Sequence, residues 1–149
     1  HFQADEGLLY LVLCLVGSEM CIRDSPWTWQ DQYGFVLAND VSGATRTLIC
    51  SGQTAIDSEG HVAHAGDMAA QLKLSLDNLE TVLGHADFSL ADVVRLTIYT
   101  TDVDALLEVL ATLVGRLKEA ECRASQTLLG VAHLAFPELL VEIEATAMK

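Results

Sequence analysis

Proline is nearly missing from this chain, with two in 149 residues, and basic residues are scarce, with eight Lys and Arg against 21 Asp and Glu. The first scarcity, together with a hydrophobic content of 51%, argues against a disordered chain. The length suits one domain with a real core. The second scarcity gives a formal net charge of −13 and argues against nucleic acid as a partner, because binding a polyanion needs clustered cations. A small-molecule metabolite or a protein partner fits better. The four cysteines, Cys14, Cys21, Cys50 and Cys122, have no C-x-x-C spacing and draw neither a disulfide framework nor a zinc knuckle. A reducing cytoplasm is the simplest setting.

The continuous apolar run "GLLYLVLCLVGS" at residues 7–18 is too short for a comfortable bilayer span and has no basic region before it, so no membrane association is expected. The next residues, "EMCIRDS", back-translate to GAG ATG TGT ATA AGA GAC AGC, which resembles a transposon-end adapter used in DNA sequencing. Residues 1–25 are therefore read as a non-native leader and residues 26–149 as a single domain. Leaving out the leader removes four acids (Asp5, Glu6, Glu19, Asp24) and one base (Arg23), and the acidic character survives.

Within the domain, a short strand is expected around Phe35 to Leu37. "TRTLICSGQTAID" contains a β-favouring run, Thr47 to Cys50, ended by Gly52, which suits a bulge or a close backbone approach. Val62 to His64, between two turn-forming clusters, reads as a hairpin partner. "DMAAQLKLSLDNLETVLGHA" predicts a helix with Asp67 as N-cap, an apolar stripe at Met68, Leu72, Leu76, Leu79 and Leu83, and Gly84 as its stop. In "DVVRLTIYTTD", Val94, Leu96 and Ile98 alternate against Arg95, Thr97 and Tyr99, the period of a strand with one packed face. A second helix is predicted over residues 101–120, capped by Asp102 or Asp104. Strands over "SQTLLGVAHL" and "LLVEIEATAM" close the chain.

Two amphipathic helices on one face of a mixed sheet make an α+β two-layer sandwich. The last strand puts Val141, Ile143, Ala145 and Ala147 on one face and Glu142, Glu144 and Thr146 on the other. The second face, close to "TLLGVAHL", is apolar enough to suggest subunit contact. His61 and His64 have H-x-x-H spacing, but on a strand they face apart with no third ligand near, so no metal site is read there. Cys50 and Cys122 read as small core residues rather than nucleophiles, since neither has a basic neighbourhood.

The phrases "SGQTAID", "GDMAAQLKLSLDNLETVL", "ADVVRLTIYTTDVD" and "LLVEIEATA", in this order and at these separations over roughly residues 33–148, resemble the Rid (YjgF-type) family of reactive-intermediate deaminases. The resemblance implies a chorismate-mutase-like fold and a homotrimer with its sites in the clefts between subunits. It also implies hydrolysis of imines or enamines to a keto product and ammonia, with no metal or organic cofactor. Matched position by position, Glu142 corresponds to a water-orienting glutamate, Gly52 to a pocket glycine and Tyr33 to a pocket aromatic. Gln126 falls where the family's active members carry an arginine that clamps the substrate carboxylate, and Leu110 falls where they carry a polar residue. Arg123 could replace the clamp only if "CRAS" is a loop, and His133 would be mostly neutral at pH 7. Two functions remain open at this point: a deaminase of altered specificity, with Glu142 catalytic and Gln126, Gly52 and Tyr33 contacting substrate, or a non-catalytic trimer that binds a metabolite or protein in the same cleft.

Overall fold

The computed structural model describes residues 20–149, of which residues 20–24 are described by their backbone alone. The apolar run at 7–18 and most of the leader lie outside the described residues. Strand β1 (Met20–Asp24) pairs antiparallel with β2 (Ala38–Ser42) as a separate two-stranded ribbon. The main sheet is built from β3 (Thr47–Thr54), β4 (Val93–Thr100), β5 (Ser125–Gly130) and β6 (Val141–Met148), in the order β3-β6-β4-β5. Strand β6 runs antiparallel to both its neighbours, and β5 runs parallel to β4.

Three helices supply the apolar cover of this sheet where two were expected: α1 (Met68–His85), α2 (Val103–Glu108) and α3 (Leu110–Glu119). The expected second helix breaks at Val109, whose φ of −106° and ψ of 7° leave helical geometry. Asp102 caps α2, its side chain accepting from Ala105 N at 3.0 Å. On α1 the Asp67 carboxylate accepts from Ala70 N at 3.0 Å, as the sequence indicated. Leu72, Leu76, Leu79 and Leu83 of α1 are fully buried with Leu106, Leu113 and Leu117 against Leu96, Ile98, Val141 and Ile143 of the sheet. Each such leucine contributes on the order of 2 kcal/mol by leaving water.

Gly84 does not stop α1. The helix continues to His85, and Asp87 takes the left-handed turn instead, with φ 62°. Phe88 N then donates to Leu83 O at 2.8 Å and Asp87 N to Gly84 O at 3.1 Å, the paired closure that satisfies the last carbonyls of a helix. Helix α3 ends the same way, with Glu121 at φ 54°, Cys122 N donating to Leu117 O and Glu121 N to Lys118 O. Elsewhere the expected strands are shorter. Of residues 35–37 only Val36 forms an isolated parallel bridge, to Ser125, and of residues 62–64 only Val62 bridges, to Ile56. Strand β5 ends at Gly130, and residues 131–140 form a loop.

That loop is anchored where it enters β6. Gln71 of α1, fully buried, donates from Nε2 to Glu138 O (2.8 Å) and His64 O (3.1 Å), while its Oε1 accepts from Leu140 N (2.8 Å). Leu140 O in turn accepts from the Thr100 hydroxyl at 2.8 Å and from Thr101 N at 3.1 Å. Both backbone groups of Leu140 are thus held two residues before Glu142. Gln71→Leu keeps the volume but removes three partly buried hydrogen bonds to the backbone of His64, Glu138 and Leu140, so it should lower the free energy of unfolding by about 2 kcal/mol. Urea titration measures this, and a loss below about 1 kcal/mol would show that the anchor carries little.

Candidate functional site

Glu142 is the second residue of β6, opposite Thr54 of β3 on one side and Tyr99 of β4 on the other. Its neighbours in sequence, Val141 and Ile143, are fully buried, so the alternation of the strand turns the carboxylate to the face away from the helices. Strand β3 carries the expected bulge: the register shifts between Cys50 and Gln53, with Gly52 inside it. A Cβ on Gly52 would collide with Glu142 Oε1 and stand 2.6 Å from the carboxyl carbon. Glycine here leaves a notch that the carboxylate occupies, and a side chain in its place would displace the carboxylate to another rotamer.

Three side chains meet on this open face. Glu144, two residues along β6, accepts from the Tyr99 hydroxyl at 2.8 Å. Burial pushes the Glu142 carboxyl above the ordinary carboxylate range, and the Glu144 charge adds to that shift. Tyr99 is pushed up as well, first by its hydrogen bond to Glu144. A carboxylate that holds its proton more readily than usual, in a notch beside a second carboxylate, is suited to take a proton from water.

Gln126 and Tyr33 stand elsewhere. Gln126 pairs with Leu96, whose side chain is in the core, whereas the flanking Thr127 accepts a hydrogen bond from Arg95 on the open face. Gln126 therefore belongs to the helix side of β5. Two strand spacings and three residues of rise put its backbone about 14 Å from that of Glu142. Its Nε2 donates to Gly34 O at 3.1 Å, immediately after the 3-10 turn Trp29–Tyr33. Tyr33 is exposed there, stacked on Phe35 with ring centroids 6.4 Å apart, and Trp29 meets Phe35 edge-on at 5.8 Å.

The four residues singled out from the sequence thus form two pairs, Gly52 with Glu142 and Tyr33 with Gln126, on opposite sides of one sheet. Arg123 does lie in a loop, and its guanidinium is 3.9 Å from Asp31 of the same aromatic turn. Leu110 begins α3 and packs partly buried against the core. His61 is exposed beside Asp57 and Glu59, and His64 sits at φ 58°. Among the described residues no group of three His, Cys, Asp or Glu side chains is arranged to hold a metal ion. No helix among them is long and apolar enough to cross a membrane. Tyr99 was read from the sequence only as a strand residue. Antiparallel pairing of the two strands would have placed it beside the acids, since its alternation matches the exposed face.

The family profile described as Endoribonuclease L-PSP matches residues 37–149. A RutC family protein of Pyrococcus horikoshii is 32% identical over 105 residues, which are 68% of this chain and 79% of that protein. Among solved structures, the Rid-family protein YyfB of Yersinia pestis superposes with a TM-score of 0.78 at 35% identity, covering 88% of this chain and 98% of its own. The YjgF gene product of E. coli superposes with a TM-score of 0.63 at 27% identity, covering 86% and 95%.

The raised Glu142 pKa makes a signed prediction. An acid whose folded pKa lies above its unfolded value favours the folded state at low pH and loses that contribution as pH rises through the folded pKa. Glu142→Gln should therefore become more stable relative to the native chain as pH is raised from about 4 to 7. Denaturation at the two pH values tests this, and a difference of opposite sign would mean that Glu142 is stabilised as an anion.

Proposed function

The chain belongs to the Endoribonuclease L-PSP family, the Rid or YjgF-type family of its sequence phrases, and from that membership we propose that it is a hydrolytic deaminase of reactive imines and enamines. The observation that carries the reading is the Glu142 carboxylate set into the Gly52 notch with its proton affinity raised. Glu142 takes a proton from water as the oxygen attacks the imine carbon, and the C=N electron pair moves to nitrogen. Returned to that nitrogen, the proton completes a carbinolamine. Glu142 then takes the carbinolamine's hydroxyl proton as C=O forms and passes it to the nitrogen as the C–N bond breaks, so that the imine and water become a carbonyl compound and ammonia. Proton transfer accounts for every step, without metal or organic cofactor. The net charge of −13 favours such a small substrate over the RNA that the family's description names.

The working unit in this reading is a cytoplasmic homotrimer of residues 26–149. One chain keeps its two pairs of candidate residues apart, so Tyr33 and Gln126 of one copy would complete the cleft of the next. The open face has apolar surface for such contact, with Ile49 79% exposed beside Thr146. Gln126 offers the substrate a neutral amide where a guanidinium would form a charge-assisted pair, which turns specificity toward substrates whose carboxylate is absent or held elsewhere. One observation favours the non-catalytic reading: the Gln126 amide is engaged with the Gly34 carbonyl.

Release of ammonia and keto product from freshly generated imines tests the proposal. The native chain should turn them over, Glu142→Gln should lose about 100-fold or more in kcat without a lower melting temperature, and Gln126→Arg should gain toward carboxylate-bearing substrates. Silence in all three would move the assignment to a binding protein. Equal activity in Glu142→Gln would remove that residue from the mechanism.

A further inference from the structure

Glu142 and Glu144 are chemically identical groups two residues apart on one face of one strand, and such a pair with nothing else near would share a proton without preference. Their surroundings differ. Glu142 sits over Gly52, whose lack of a side chain gives it room and no donor, while Glu144 receives the Tyr99 hydroxyl at 2.8 Å. From β3 the groups facing Glu142 are Gly52 and Thr54, neither of them titratable. From β4 it faces Tyr99, with Arg95 two pairs beyond Thr97 and hydrogen-bonded to Thr127 on β5. From β6 it faces Glu144.

We infer that Tyr99 is a positioning residue: by donating to Glu144 it fixes that carboxylate as the anion of the pair and leaves Glu142 as the group that gains and loses the proton. A hydrogen bond to the charged form of an acid favours that form, and a neighbouring anion raises the proton affinity of the other acid, so one phenol separates the two carboxylates. Tyr99 keeps its own proton through neutral pH, because the bond to Glu144 pushes its pKa upward. The role in catalysis rests on the deaminase reading of the site, whereas the division of the proton does not.

Carboxyl-carbon NMR titration of the full chain, run beside the pH profile of kcat/KM, separates the two claims. In the native chain Glu142 should titrate above Glu144. In Tyr99→Phe the Glu142 midpoint should fall by about half a pH unit, and the acid limb of kcat/KM should move to lower pH by the same amount. Glu144→Gln should lower the Glu142 midpoint as well, which supplies the answer should Tyr99→Phe fold poorly. Midpoints that stay in place in both variants overturn the assignment whatever the activity. Midpoints that move in a chain without imine turnover uphold the division of the proton and remove the deaminase reading.

Discussion

The alternation of strand β6 is the constraint on which the rest of the molecule depends. Val141, Ile143, Ala145 and Ala147 are all buried under the helices, and between them Glu142, Glu144 and Thr146 point the other way. Because β6 lies between β3 and β4, a slip of one residue would turn both carboxylates into the core and break the register with both neighbouring strands. The register is held by the Leu140 backbone, gripped through its N–H by Gln71 and through its carbonyl by Thr100 and Thr101. A buried polar side chain on a helix thereby sets where a carboxylate appears on the far face of the sheet.

The same arrangement places the carboxylates where they oppose each other. Two acids side by side in an already acidic chain disfavour the folded state unless something screens them. The Tyr99 hydroxyl screens one and the notch at Gly52 leaves the other to hold its charge at some cost. A group whose ionised form is disfavoured in the fold is the kind of group that does proton chemistry, so the local loss of stability and the proposed catalysis would have one origin.

Much of this was legible in the sequence, because periodicity and capping act locally. Asp67 and the leucine stripe of α1, the faces of β6 and of β4 from Leu96 onward, and the irregularity at Gly52 follow from the order of side chains alone. At the start of β4, by contrast, the register shifts between Val93 and Arg95, and Val93, not the expected Val94, enters the core. What was not legible depends on partners distant in sequence or on rare backbone states. Gly84 reads as the natural end of α1, yet Asp87 and Glu121 accept left-handed geometry because the closing hydrogen bonds of their helices require a residue there. The break at Val109 has no sequence mark. Above all, the side of the sheet on which Gln126 lies is set by the parallel pairing of β5 with β4, opposite Leu96, and no pattern within "SQTLLG" reveals it.

Glu142 with Gly52, and Gln126 with Tyr33, can serve one substrate only if two copies of the chain meet. Mixing two disabled chains tests that claim directly. Glu142→Gln lacks the base, and Gln126→Glu would repel an anionic substrate from the other half of the cleft. If each cleft takes Glu142 from one copy and Gln126 from the next, random mixed trimers should regain about a quarter of native turnover, since one cleft in four receives both native residues. Activity no higher than that of either parent would contradict the shared site and return Glu142 to acting within a single chain.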